Sequence, residues 1–233
     1  EKNLNELLET DEDFTLDDLI ERIRKDEQAS QHVKNVLSSF LEIAKGWGIF
    51  SKKGMKITDL VKPNQATIID VSRVRGEEWG LRSLLAAWVT RKVYRERVVS
   101  RKEEEIARLE GRPLKVRFPF TWLVFEEAHN FIPSGKEIIS SQPILTIAKQ
   151  GREPGIGLFV ITQMPNKVHQ DILSQCDLVI SHRLTSRADL EALHTVMQTY
   201  MREEIWKYLS RLPRVPGAAI ILDDTLEKIF SIQ

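Results

Sequence analysis

The chain has 233 residues, enough for one large domain or for a core domain with a small appendage. Lys plus Arg and Asp plus Glu both total 34, so net charge does not favour nucleic acid and any DNA contact needs a local basic patch. A single cysteine excludes an intramolecular disulfide, and no apolar run reaches the roughly 20 residues that cross a bilayer. We therefore expect a cytoplasmic protein without a membrane segment.

Residues 1–62 are predicted to form a small helical bundle, because apolar residues recur at helical spacing between positions 16 and 41. Two pairs of candidate caps flank these helices, namely Thr15 or Asp13 at the start and Gly46 or Gly48 at the end. The segment VKPNQ then marks a break in the chain.

Residues 63–233 have a different pattern, in which short apolar runs alternate with long amphipathic stretches. The runs are ATIIDV, TWLVFE, GIGLFVIT, DLVISHRL and GAAIIL, and helices are predicted at about 77–109, 137–150, 165–175 and 186–210. Continuous apolar runs indicate strands that are covered on both faces. We therefore predict an α/β core with a mainly parallel sheet flanked by helices.

Polar residues stand where the predicted strands end, and parallel sheets bind ligands at the carboxyl ends of their strands. The successive strands end at Asp70 and Ser72, at Glu126 and Glu127, at Thr162 and Gln163, and at His182 and Arg183. We expect these side chains to make a site.

The acid pair Glu126 and Glu127 directly follows an apolar strand. Nucleoside triphosphatases use this arrangement to hold Mg²⁺ and to position the attacking water. Glu126 would take the metal side, and Glu127 would polarise the water. The alternative is an exposed helix N-terminus, where the helix dipole favours acidic residues.

The segment IAKQGREPGIGLFVITQMP favours phosphoryl-transfer chemistry over that alternative. It places Arg152 in a glycine-flanked turn before the third strand and ends that strand at Gln163. An exposed arginine on a rigid turn can supply positive charge to a transferring phosphoryl group, in its own subunit or in a neighbour's. The Gln163 amide can reach a γ-phosphate or the attacking water.

Residues 66–222 resemble the HerA and FtsK family of hexameric DNA-pumping ATPases, and most closely archaeal HerA. The resemblance is carried by LVFEEAHNFIP and by IAKQGREPGIGLFVITQMPNKVHQDILSQCDLVISHRLTSRADLEAL. It implies a RecA-like P-loop NTPase core, a homo-hexamer, and movement along double-stranded DNA driven by ATP with Mg²⁺. It also implies partnership with a NurA-like nuclease in DNA end resection, homologous recombination and double-strand break repair.

The same resemblance assigns roles to individual residues. Glu127 would be the catalytic glutamate, Arg152 the arginine finger for the neighbouring subunit's ATP, and Gln163 a polar sensor. Residues 1–62 look like the helical bundle that this family inserts within its ATPase domain.

Two features depart from the family pattern. Glu126 stands where the family usually has Asp, so its carboxylate is displaced by a methylene. The 233 residues also contain no G-x-x-x-x-G-K-[ST] loop to cradle phosphates. We expect the chain to be the C-terminal part of a longer protein and, as it stands, to hydrolyse ATP poorly or not at all.

Three further residues have more than one interpretation. Asp70 faces the nucleotide or caps a helix. Arg183 contacts the nucleotide or a subunit interface, or is simply solvated. His129 is a metal ligand or a structural residue coupled to the acids, and the absence of a second His or Cys at ligand spacing in the sequence favours the structural role.

Lys136 and Lys167 lie in loops after predicted strand ends, and we expect them to contact DNA phosphates without reading base sequence. The run RKVYRERVVSRKEEEIARLEGR is more basic. Its interleaved glutamates instead predict a long solvated helix with i,i+4 ion pairs.

Two other functions are compatible with the sequence. A secretion or conjugation ATPase shares the acid pair, the Gly-Arg turn and the strand-ending glutamine. A nucleotide-independent scaffold that assembles through the sheet edge is supported by the missing phosphate loop.

Overall fold

The structure, a computed structural model, describes residues 14–51, 53–72, 79–114, 117–196, 208–209 and 211–232. The chain separates into two compact units: Glu1–Leu60 with Thr67–Glu78 form unit one, and Val61–Ala66 with Trp79–Gln233 form unit two. Among the described residues, no helix combines the length and the apolar character needed to cross a membrane. The domain boundary after residue 62 stays a prediction.

The described part of unit one contains the helices α1 (Leu16–Lys25), α2 (Gln31–Lys45) and α3 (Ile57–Leu60), joined by irregular segments. Thr15 caps α1, because its hydroxyl accepts a hydrogen bond from the Asp18 backbone N–H and its own N–H donates to the Asp18 carboxylate at 2.7 Å. Asp13, the other candidate cap, lies outside the described residues. α2 ends at Lys45 with Gly46 as its C-cap, the first of the two predicted stops.

The predicted strand at ATIIDV is wrong, because residues 66–71 form no strand in the structure. A strand of a parallel sheet needs neighbours at its edges and cover on its faces. The described part of the chain supplies this segment with neither, and Ile68 is 90% exposed.

Unit two contains the elements that position the candidate site. Its helices are α4 (Trp79–Leu109), α5 (Ser141–Gln150), α6 (Gln170–Leu173) and α7 (Arg187–Val196), with 3-10 turns at Ala128–Asn130 and Pro165–Lys167. Its strands are β1 (Thr121–Phe125), β2 (Ile156–Val160), β3 (Leu178–Ser181), β4 (Ala219–Asp223) and β5 (Lys228–Ile232). The long helix is confirmed from residue 79, α5 and α6 are shorter than predicted, and residues 197–207 of the last predicted helix lie outside the described residues.

The described strands form two sheets, so the mixed α/β fold with a parallel sheet is confirmed but the prediction of a mainly parallel sheet is wrong. β1 and β2 pair in parallel, whereas β3, β4 and β5 form an antiparallel sheet. β4 and β5 are joined by the four residues 224–227, and so short a connection can only join antiparallel strands.

The β1–β2 sheet is covered on one face by an apolar core from the segment after β1, α5 and α6. The buried members of this core are Ala128, Ile132, Ile144, Leu145, Val168 and Ile172. On the other face Trp122 is 69% exposed and packs edge-on against Phe159. Cover on both faces, which the continuous apolar run predicts, is therefore not provided by the described residues.

A close contact at the base of this sheet gives a stability prediction. Gly155 has φ +85°, and a Cβ there would lie 2.2 Å from the Phe120 ring. We expect Gly155→Ala to destabilise the protein by about 2 kcal/mol, since it combines left-handed strain with a clash. Gly135→Ala is the control, because Gly135 has φ +69° but open space around it and should lose only about 1 kcal/mol. Urea denaturation compares the two, and equal losses would contradict the contact.

Candidate functional site

The carboxyl ends of β1 and β2 lie level with each other. Phe125 pairs with Val160 at the last position of the parallel ladder. The hydrogen bonding continues beyond the strands, because Ile161 N–H donates to the Phe125 carbonyl at 2.9 Å and Ala128 N–H donates to the Ile161 carbonyl at 3.0 Å. The acid pair after β1 and the polar residues after β2 are therefore held at one edge.

Glu127 turns sharply away from the strand direction. Its backbone is left-handed, with φ 50° and ψ 48°, a conformation that a non-glycine residue adopts only at a cost of about 1 to 3 kcal/mol. Its Oε1 accepts a hydrogen bond of 3.0 Å from Gln163 Nε2. The structure thus joins two of the three residues that the sequence predicts to be catalytic.

His129 extends this contact into a cluster. Its Nδ1 lies 3.1 Å from Thr162 Oγ1 and 3.5 Å from Glu127 Oε2, and its side chain is only 14% exposed. Thr162 Oγ1 in turn accepts a hydrogen bond from the Met164 backbone N–H. We call Glu127, His129, Thr162 and Gln163 the Glu127 cluster, and the position of His129 in it fits the structural role.

Glu126, beside the cluster, is exposed and can face a ligand. In the described part of the chain no group of three or more His, Cys, Asp or Glu side chains could hold a metal. Mg²⁺ is commonly held by one or two carboxylates, with phosphate oxygens and water completing six positions, so Glu126 fits this ion in a complex with a phosphate ligand. These residues do not fit a site that binds metal through protein groups alone.

Arg152 lies at the opposite end of the same sheet. It is exposed in the turn between α5 and β2, whereas the Glu127 cluster follows the far end of the strands. A five-residue strand spans about 16 Å, so the structure does not bring Arg152 to the Glu127 cluster of its own chain.

The Arg152 turn is held closely by its surroundings. Ile156 and Gly155 N–H groups both donate to the Gly151 carbonyl, at 2.7 and 3.1 Å. A Cβ on Gly151 would lie 2.5 Å from the Ile147 carbonyl oxygen, which explains the glycine before the arginine. Arg97 of α4 adds a hydrogen bond of 2.7 Å from its Nε to the Pro154 carbonyl.

The prediction that the basic run forms a solvated helix is correct for part of α4 and wrong for Arg97. Arg101 and Glu105 form the predicted kind of i,i+4 ion pair at 3.2 Å, with both side chains partly exposed. The Arg97 side chain is 0% exposed. Its spacing from Ser100 and Glu104, i+3 and i+7, places all three on one helix face, and this signal in the sequence was the one that could have revealed the buried contact.

Neither Asp70 nor Arg183 is a member of the Glu127 cluster. Asp70 belongs to unit one, where hydrogen bonds from the Ser72 hydroxyl and backbone N–H hold the pKa of its carboxyl below the ordinary value. Arg183 lines an open cavity of about 650 Å³ in unit two, together with His182 and Arg214.

Lys136 and Lys167 lie on neighbouring loops that follow β1 and β2. Ser134 links the loops, because its N–H donates to the Lys167 carbonyl at 2.8 Å and its hydroxyl donates to the Asn166 carbonyl at 3.1 Å. Both lysines are exposed. The two residues predicted to contact DNA are thus on one connected surface.

Comparison with known proteins bears on the resemblance seen in the sequence. No protein-family model matches this chain. The DNA double-strand break repair helicase HerA of Pyrococcus furiosus is 31% identical over 143 residues, which are 55% of this chain and 26% of that protein. HerA of Sulfurisphaera tokodaii is 24% identical over 205 residues, which are 88% of this chain and 38% of that protein. This chain is similar to HerA.

The chain spans about a quarter to two-fifths of the length of these HerA relatives. Among solved structures, it is similar to the genome-packaging NTPase B204 of Sulfolobus turreted icosahedral virus 2, solved with sulfate. The TM-score is 0.51 at 15% identity, covering 78% of this chain and 72% of the viral protein. The likeness to the viral NTPase shows a shared fold, and the likeness to HerA confirms the resemblance predicted from the acid-pair and Gly-Arg segments.

Proposed function

We propose that this chain belongs to an ATP-driven DNA translocase or helicase of the HerA type, and that it supplies the hydrolytic edge of a RecA-like core. The observation that carries the proposal is the hydrogen bond between Glu127 and Gln163 across the level ends of two parallel strands. The names of the relatives and of the structural neighbour, a repair helicase and a packaging NTPase, support the same class of activity.

In this proposal Glu127 accepts a proton from water as that water attacks the γ-phosphate. The left-handed backbone and the Gln163 amide hold Oε1 of Glu127 in place, and His129 orients Oε2. Glu126 would hold Mg²⁺, which would supply positive charge to the phosphates. ATP also needs a phosphate cradle, which the 233 residues do not supply.

Arg152 acts on a neighbouring copy in this proposal. The length of the strands separates it from its own Glu127 cluster, while its exposure on a tightly held turn suits contact with another subunit. A ring of identical subunits, six in the HerA resemblance, provides every Glu127 with a partner's finger. We propose that Arg183 and its cavity contact the nucleotide or a subunit interface. The nucleotide contact of Asp70, which belongs to unit one, stays a prediction.

The proposed partners are double-stranded DNA and a NurA-like nuclease, in end resection during recombinational repair, and the proposed location is the cytoplasm. The helical part of unit one corresponds to the inserted bundle of the family. The connected loops that carry Lys136 and Lys167 support a DNA contact near the hydrolytic edge. At that position the bound nucleotide can change the affinity of the loops for DNA.

The deciding measurement is ATP turnover by the complete gene product, with and without linear duplex DNA. DNA-stimulated turnover is expected. Turnover that linear DNA does not stimulate would favour the secretion or conjugation motor. No turnover in the complete protein would favour the scaffold.

The lysine loops give a separate prediction. Lys136→Ala and Lys167→Ala should each make the salt dependence of duplex DNA binding shallower. The negative slope of log affinity against log salt should shrink in magnitude by about 1, whatever the DNA sequence, because each change removes one phosphate contact. Filter binding of the complete gene product across salt concentrations measures this slope. Lys102→Ala on the exposed side of α4 is the control, and an equal effect there would contradict the assignment.

A further inference from the structure

Arg97 is a fully buried cation that the proposed chemistry does not use. It lies in the middle of α4, and its side chain is 0% exposed. Its guanidinium donates to the carbonyls of Pro154 and Phe118 and to Glu104 Oε1, and its centre lies 4.7 Å from the Phe120 ring centroid. One side chain therefore connects the long helix, the approach to β1 and the turn before β2.

Stability alone is a poor explanation for this arrangement. Burying a charge is costly, and a buried ion pair is often no more stable than apolar residues of the same size. The Arg97–Glu104 pair is 3.0 Å long, and Arg97 Nη2 is buried with no hydrogen-bond partner among the described residues. Burial opposes ionisation of Glu104, but the hydrogen bond and charge of Arg97 outweigh it and lower the pKa of Glu104.

Geometry is what the guanidinium provides. Its planar fork holds several acceptors in one fixed arrangement, whereas the three donors of a lysine rotate freely and an apolar side chain has no donor. The Pro154 carbonyl that it holds is two residues from Arg152. Gly155 packs closely against the Phe120 ring, which a Cβ there would approach to 2.2 Å, and the same Cβ would be in ordinary contact with Arg97 Nη2 at 3.5 Å. The base of the turn is thus clamped while Arg152 at its tip is exposed.

We propose that Arg97 is a positioning residue for Arg152, which sets the height and direction at which the finger reaches a neighbouring subunit. This inference rests on the proposed function, because it requires Arg152 to act in trans. Arg97 itself touches no substrate. Its loss should lower kcat by about 10- to 100-fold and leave the KM for ATP within about twofold, since a misplacement of about 1 Å can cost that much.

The test uses two variants of the complete gene product. Arg97→Lys keeps the charge but loses the fork. Arg97→Met combined with Glu104→Leu replaces the ion pair by apolar side chains, so we expect it to fold, with stability somewhat reduced because the Pro154 and Phe118 carbonyls lose their guanidinium donor. A stable double variant with wild-type kcat would overturn the inference, and so would unfolding of both variants, because Arg97 would then serve stability only.

Mixed assemblies separate this inference from the proposed function. Glu127→Gln mixed with Arg152→Ala must recover turnover, and failure of that pair would overturn the trans finger and the inference with it. Given that recovery, the Arg97 variants should recover turnover when mixed with Glu127→Gln, which supplies an intact finger, but not when mixed with Arg152→Ala. Recovery in neither mixture, or in both, would overturn the role of Arg97 alone.

Discussion

Glu127→Gln in the complete gene product should lower ATP turnover by about 100-fold or more while nucleotide binding is retained. The amide keeps the size of the side chain and its hydrogen bond to Gln163, but it cannot accept the proton of the attacking water. The left-handed backbone of Glu127 is compatible with Gln, so the fold should not change. Steady-state turnover and binding of a fluorescent ATP analogue measure the two effects separately.

Glu110→Gln is the matched control, because Glu110 is an exposed acid beyond the end of α4 whose partner is Arg112. It should leave turnover unchanged. Glu126→Gln should instead raise the Mg²⁺ concentration needed for half-maximal turnover. If Glu127→Gln keeps more than about a tenth of wild-type turnover, a proton acceptor other than Glu127 carries the reaction.

Arg152→Ala should lower turnover by about 1,000-fold or more, because a guanidinium that neutralises charge on a transferring phosphoryl group contributes on that scale. Arg152→Lys should recover only a small part, since an ammonium lacks the planar fork. The exposure of Arg152 indicates that neither change affects folding. Turnover by the variant assembly, with melting temperature measured in parallel, gives the result.

Arg112→Ala controls for the loss of an exposed arginine and should be silent. A finger that acts between subunits also predicts how Arg152→Ala behaves in mixed assemblies. Mixed with Glu127→Gln subunits, it should regain a fraction of turnover, because some neighbours then combine an intact acid with an intact finger. A mixture with only the sum of the two separate activities would contradict a finger that acts between subunits.

Local signals predicted the parts of the fold that depend on nearby residues. The Thr15 cap, the Gly46 helix end and the long helix from residue 79 follow from caps and helical spacing, and the structure has all three. Strand partners are not local. The run at 66–71 contains four apolar residues, as many as β1, yet its pairing depends on distant segments. The antiparallel direction of β3 to β5 likewise depends on chain paths that apolar runs do not encode.

The candidate site divides in the same way. Residues at the ends of parallel strands meet at one edge, so the sequence could place Glu127 beside Gln163. The contact of His129 with Thr162 depends on the left-handed turn at Glu127. A glutamate gives no signal in the sequence for that backbone conformation. Arg97 looked like one more charge on a solvated helix, because its burial depends on the turn that packs over it.

The separation of Arg152 from Glu127 along β1 and β2 has a consequence for how the proposed motor responds to concentration. If the proposed roles hold, a single subunit would contribute Glu127 to one hydrolytic centre and Arg152 to another, and would complete neither by itself. Turnover per subunit should therefore fall steeply when dilution dissociates the ring, and unassembled subunits would hydrolyse no ATP in the cell. The length of the five-residue strands, which separates Arg152 from Glu127 within a subunit, would then restrict ATP hydrolysis to the assembled ring.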